Sequence, residues 1–447
     1  MSGAFAGRDW NRPVLRLAFP IILSNASVPL LGAVDTAVMG HLPDPAYIGA
    51  VAVGAMIFSF LYWGFGFLRM GTTGFTAQAF GAEDAEEMRA ALARPLLLGL
   101  VIGLCLIALQ GLIAPVAFHF MDASAQVEGF AQTYFAIRIW GAPATLITYA
   151  LLGWLLGGGN ARAVLYIQLL LNGLNIALNL LFVLGLGMTI DGVALATVLS
   201  EYTALLFGLF LAADKLKSWP GVWQKARVLE RARLVALFRV NLDIFIRTFC
   251  LQVAFFTFTA RSAQLGELQL AANAILLQFE TFMAYILDGF AHAVEVLAGN
   301  ALGARKRAAF RGAVVASTVW AALFALLITL VYALAGPQLV TLFTDIEAVR
   351  EAAWDFLPWA VVMPLVGVWA YQLDGIFIGA TRTAAMRNAM LVSLLGYLPA
   401  RFLFEQLWGN HGLWLSITLF LGLRGVTLAV CYPALERSIE PQGAQPA

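Results

Sequence analysis

The chain has 447 residues, of which 61% are hydrophobic and only 12% charged, and its net charge is +1. That composition cannot supply the polar shell of a soluble domain, and a near-neutral chain offers no bulk attraction to nucleic acid. Apolar runs long enough for a bilayer core, about 20 residues per helical span, recur from Val14 to Tyr432.

The runs are too long and continuous for barrel strands, so helices are expected to satisfy the backbone inside lipid. In chain order, spans are predicted at 14–39, 46–68, 92–117, 127–156, 162–185 and 190–213. Beyond a polar stretch, six more are predicted at 234–261, 268–297, 312–336, 349–380, 384–407 and 411–434. The expected fold class is an all-α integral membrane protein of twelve transmembrane helices in two pseudo-symmetric six-helix lobes. The expected division is an N-terminal lobe 1–213, a cytoplasmic linker 214–233, a C-terminal lobe 234–435 and a disordered tail 436–447. The first span is read as retained rather than as a cleaved signal.

Lys and Arg set the orientation. They gather before span one (Arg8, Arg12, Arg16), after span two (Arg69, Arg89, Arg94), in the linker (Lys215, Lys217, Lys225, Arg227) and after span eight (Arg305, Lys306, Arg307). The alternate connections 40–46, 118–126, 186–190 and 337–346 hold none. Both termini are therefore expected to be cytoplasmic.

An ungapped offset of 222 aligns the halves. Phe80-Gly81-Ala82 meets Leu302-Gly303-Ala304, Arg89 meets Arg311, and Gly153 and Gly157 meet Gly375 and Gly379. Near the end the offset becomes 220, where Asp191-Gly192-Val193 meets His411-Gly412-Leu413. With six spans each, the repeats are parallel. Such a pair is expected to transport a substrate by rocking around a shared cavity, coupled to an ion through intramembrane ionisable groups.

Asp35 is the sharpest of these, roughly 7 Å inside the outer end of span one at 1.5 Å per residue. Asn175 and Asn179 share a face of span five, and Thr197 on span six and Tyr134 on span four lie at similar depth. Pro20 opens the first helix's hydrogen-bond ladder and is the candidate hinge, with helix kinking as a passive alternative. In the second half, Asp374, Glu280 and Arg247 are secondary candidates. Arg247 with Glu280, and Arg401 with Glu405 four residues on, can also form static ion pairs. Cys105, Cys250 and Cys431 are far apart and form no metal cluster. There is no G-x-x-x-x-G-K-[ST] loop to power transport with ATP. The histidines, His41, His119, His292 and His411, are scattered, which leaves an intramembrane enzyme little chemistry.

The stretch V-D-T-A-V-M-G-H-L (34–42) resembles the first-helix signature of the multidrug and toxic compound extrusion (MATE) family. G-A-V-A-V-G-A-M-I-F-S-F (49–60) and D-G-V-A-L-A-T-V-L-S (191–200) are similar to it as well. The lone first-helix Asp and F-L-R-M-G-T-T-G-F-T-A-Q-A-F-G (67–81) look most like the DinF-like branch. The resemblance implies a cation-coupled pump that exports hydrophobic, often cationic organic compounds. It implies protonation at the position of Asp35, bending of the first helix at that of Pro20, and polar partners at those of Asn175, Asn179 and Thr197. Some archaeal relatives have a second Asp where this chain has Asn179. One carboxylate in the amino-terminal pocket favours H+ and leaves Na+ open. Another branch's seventh-helix acid has no clear counterpart, since Arg247 occupies the middle of that span.

The expectation is thus an H+-coupled multidrug antiporter without a cofactor, monomeric, in the bacterial cytoplasmic (inner) membrane. A lipid-linked oligosaccharide flippase of the same superfamily is the alternative. It would be expected to have a more cationic cavity, for which Arg138, Arg247 and Arg424 are the relevant residues.

Overall fold

The computed structural model describes residues 9–39, 46–119 and 124–439, without the side chains of 28–37 and 39. Its helices in order are α1 (Asn11–Met39), α2 (Ala46–Trp63), α3 (Phe67–Gly81), α4 (Ala85–Ala108), α5 (Gln110–His119) and α6 (Ala125–Arg138). Then follow α7 (Ala142–Gly157), α8 (Ala161–Asn179), α9 (Ile190–Lys217), the short α10 (Lys225–Val228) and α11 (Arg231–Gln264). The last five are α12 (Glu267–Gly303), α13 (Arg307–Thr341), α14 (Glu347–Gly379), α15 (Thr383–Trp408) and α16 (Asn410–Arg437). Among the described residues there is no strand. The chain is a multi-pass, all-α membrane protein.

Among the described residues nine spans are long and apolar enough to cross a bilayer, and α1, α11 and α15 complete the twelve. Span two is built from α2 and α3, and span four from α6 and α7. Local chemistry sets several helix starts. Asp84 caps α4 by accepting from the Glu86 and Glu87 N–H groups at 3.1 and 2.9 Å. Asn160 accepts from Ala163 N–H at 3.2 Å to start α8, as short polar caps do for orphan donors. α16 runs past the expected end of the lobe, and Glu436 pairs with Arg307 at 3.2 Å.

The duplication holds at the level of individual helix ends. α4, α6 and α8 begin 222 residues before α13, α14 and α15, and α3 and α7 end 222 before α12 and α14. α9 and α16 match at 220 at both ends. Positive φ recurs in the same frame, at Glu83 and Arg305, Gly159 and Thr381, and Gly187 and Gly409. The helix crossings are also repeated. A Cβ on Gly153 would lie 2.3 Å from the Arg69 carbonyl oxygen, and one on Gly375 would lie 2.2 Å from that of Ala291. Gly157 and Gly379 repeat this against Thr73 and Glu295, at 2.6 and 2.1 Å. Small residues that let backbones approach are the usual device for packing helices in lipid.

The described chain forms two compact units, one of residues 23–237 and one of residues 1–22 with 238–447. The boundary falls inside α1, just after Pro20. The first turns of α1 pack within the second unit. Trp320 donates to Asn11 at 2.9 Å, Phe19 meets Phe324 edge-on at 6.2 Å, and Ile22 fills the space above Gly289. Farther along, Ser27 belongs to the first unit, where its hydroxyl accepts from Asn172 of α8 at 2.8 Å.

Candidate functional site

The first unit buries a polar ladder along α8. Asn179 donates to Asn175 at 2.9 Å, and Asn175 donates to Thr197 of α9 at 3.0 Å. Thr197 in turn donates to the Val193 carbonyl at 2.9 Å. Asn175 and Asn179 are buried, and Thr197 is half-buried. Spacings of three and four put Asn172, Asn175 and Asn179 on one helix face. Unbonded, each buried amide would cost about 1–3 kcal/mol. Directly after Asn179 the helix widens into a π-helical turn, Leu180–Gly185, in which Leu186 N–H reaches back to the Leu181 carbonyl at 2.9 Å. Such turns are common at functional sites.

The structure thus brings together Asn175, Asn179 and Thr197. The side chain of Asp35 lies outside the described residues. Pro20 sits half-buried in α1. Tyr134 is in an aromatic cluster, packed on Gly54 and edge-on to Phe58 at 6.3 Å. Sequence reasoning passed over Asn172, although the i, i+3, i+7 spacing in L-N-G-L-N-I-A-L-N signals it.

It also missed the buried carboxylate of Glu201. Glu201 of α9 meets Arg138 of α6 through two contacts, 2.8 Å to Oε2 and 2.7 Å to Oε1. Both residues are buried, at 6% and 9% exposed. The guanidinium lies over the rings of Phe58 and Tyr62, 5.1 and 5.4 Å from their centroids. Gly141 makes the room, since a Cβ there would stand 2.1 Å from Glu201 Oε2. The signal was available: an acid in the apolar run A-T-V-L-S-E-Y-T-A-L-L is costly in lipid and functional by default.

In the second unit the secondary candidates separate. Arg247 of α11 pairs with Asp374 of α14, not with Glu280, and Arg424 of α16 joins the same carboxylate oxygen at 2.7 Å. Glu280 of α12 instead accepts from the Tyr371 hydroxyl at 3.3 Å. Arg401 and Glu405 share a helix, but Glu405 turns to α11, where Arg261 meets both its oxygens. Arg261 thereby offers Glu405 the two-oxygen contact that guanidinium–carboxylate pairs favour. Near the start of α11, Asp243 accepts from Arg387 at 2.6 Å and Thr383 at 3.0 Å.

The connection after α9 is tied down as well. Arg227 reaches Asp84 at 2.8 Å, Gln224 donates to Glu86 at 2.6 Å, and Arg94 bonds Glu87 and the Arg227 carbonyl, both at 2.6 Å. Partial burial pushes the Asp84 carboxyl up, but the Glu87 N–H and the Arg227 guanidinium outweigh it and hold it below the usual carboxylate range.

The MatE family model matches residues 20–181 and again residues 244–403, once per half. The chain is 43% identical to DNA damage-inducible protein F of Escherichia coli K12 over 422 residues, 94% of this chain and 92% of the relative. It is 25% identical to the human Multidrug and toxin extrusion protein 1, covering 96% of this chain and 74% of that one. In fold it resembles a MATE transporter solved in a bent conformation, with TM-score 0.88, 21% identity and 97% of both chains covered. An outward-facing multidrug resistance MATE transporter gives TM-score 0.87 at 20% identity, again over 97% of each chain.

Proposed function

Because the chain belongs to the MatE family of transporters, we propose that it is an H+-coupled antiporter exporting hydrophobic, often cationic organic compounds. Asp35 carries the proton, with Asn175, Asn179 and Thr197 around it. Protonation from outside neutralises Asp35, repacks α1 about Pro20 and releases the substrate outward. Deprotonation toward the cytoplasm resets the pump. The lobes 1–213 and 234–435, joined by the linker, carry the alternating access, with both termini cytoplasmic and the monomer as the working unit in a bacterial inner membrane.

One observation supports this reading above others. Ser27 of α1 is bonded to Asn172 of α8, and as spans one and five the two helices run the same way. Asp35 lies eight residues beyond Ser27 and Asn179 seven beyond Asn172, about 12 and 10.5 Å along their helices at 1.5 Å per residue. That helical register, which puts backbone position 35 of α1 at the level of position 179 of α8, supports the reading. The division of α1 just after Pro20 supports the hinge.

The flippase reading has less support. A pyrophosphate pocket needs uncommitted cations, whereas Arg138 faces Glu201 and Arg247 and Arg424 face Asp374. Proteoliposomes loaded with a cationic dye test the main reading, with H+ and Na+ gradients imposed separately. Wild-type protein is expected to respond to the H+ gradient and Asp35→Asn to lose that response. Gradient-driven efflux by Asp35→Asn at the wild-type rate would overturn it.

A further inference from the structure

Thr197 and Glu201 are four residues apart on α9, so they share a face one turn apart. Thr197 continues into the ladder of Asn175 and Asn179. Glu201 continues into Arg138. The buried ion pair and the polar ladder are therefore successive layers of one helix face. The titratable and charged groups within electrostatic reach of the pair are Tyr62 from α2, Tyr134 from α6, Tyr149 from α7 and Tyr202 on α9, whose hydroxyl donates to the Trp140 carbonyl. Arg69 from α3 lies within electrostatic reach of Tyr149. From α8 the neighbouring layer consists of the amides Asn175 and Asn179.

We infer that Arg138 and Glu201 are positioning residues of the coupling site: Glu201 cancels the charge of Arg138 beside the asparagine–threonine ladder and so sets the pH at which the pump takes up its proton. The inference rests on the proton-coupled reading above. Its physics is direct. A buried cation lowers the proton affinity of a nearby acid, and screening inside the lobe is weak. Across two helical turns, about 11 Å at 1.5 Å per residue, and at an effective dielectric near 20, one uncompensated charge moves a proton equilibrium by about one pH unit. The bidentate geometry and the space left by Gly141 keep the pair together, so the wild-type ladder feels a neutral neighbour.

The test is the pH midpoint of dye efflux in proteoliposomes, measured on variants that elute as monodisperse protein. Glu201→Gln leaves Arg138 unopposed, and the midpoint is expected to fall by about one pH unit. Arg138→Gln combined with Glu201→Gln removes both charges, and the midpoint is expected to return to the wild-type value. If Glu201→Gln alone does not fold, Arg138→Gln with Glu201→Lys leaves a single cation at position 201 and is expected to give the same downward shift. A purely structural pair would lower the rate without moving the midpoint. That result, or a double variant that keeps the shift, overturns the inference. Loss of coupling in Asp35→Asn alongside unshifted pair variants would refute this inference alone, and retention of coupling in Asp35→Asn would refute the reading beneath it.

Discussion

Consider Gly379→Ala at the crossing of α14 and α12. The added Cβ would stand 2.1 Å from the Glu295 carbonyl oxygen, 2.9 Å from its carbon and 3.1 Å from its Cα. All three are backbone atoms of a helix and cannot swing aside. Restoring an ordinary contact requires the two helices to part by about 1 Å, and overpacking of that kind costs roughly 1–3 kcal/mol. Gly379 is the last residue of α14, so the helix preference of alanine gives little back. At about 2–4 °C per kcal/mol for a unit of this size, the unfolding temperature in detergent should drop by several degrees. Gly367→Ala on the same helix is the control, because the nearest atoms to its Cβ are 3.7–3.8 Å away. It should be neutral or slightly stabilising, since alanine replaces glycine mid-helix. The repeat adds a third arm: Gly157→Ala meets Thr73 oxygen at 2.6 Å and should fall between the two. Equal melting of Gly379→Ala and wild type, with Gly367→Ala lower, would refute the packing argument.

Asp374→Asn should destabilise by about 3–5 kcal/mol, because it leaves Arg247 and Arg424 as buried cations without their shared anion. Arg424→Met should cost less, since Arg247 keeps the carboxylate; thermal unfolding of the two variants ranks them. At the connection after α9, Asp84→Ala removes the α4 cap and the Arg227 contact, a loss of about 1 kcal/mol for the cap. Amide exchange across 219–230 should speed up. Since the Asp84 carboxyl is held below its usual range, its contribution is complete above about pH 4 and is lost as pH falls further. Wild-type protection of that segment should therefore stay flat from neutral down to about pH 4.

The fold was legible because lipid leaves helices few alternatives and because duplication prints the same spacing twice. The Asn175–Asn179–Thr197 ladder was legible for a local reason, since spacing of four on α8 places two amides on one face. What escaped was the choice of partner between distant segments. Arg401 and Glu405 looked paired by proximity in sequence, yet Glu405 faces Arg261. Arg247 looked matched to Glu280 by depth, yet Asp374 accepts it. Helical spacing reports which face a side chain occupies, not which neighbouring helix that face meets. Glu201 was missed for another reason: one acid in an apolar run was noticed in span one and overlooked in span six.

The division of α1 has a consequence for synthesis. Trp10, Asn11, Phe19 and Ile22 leave the ribosome first, but the groups that hold them, Gly289, Gly312, Trp320 and Phe324, follow about 270 to 310 residues later. At about 5–20 residues per second, the opening turns of the first helix wait roughly a quarter of a minute to a minute for their packing surface. Meanwhile the other end of the same helix can dock through Ser27 on α8 after only about 145 residues. The first helix is thus anchored first at Ser27, past its midpoint, and the second half closes around its beginning last.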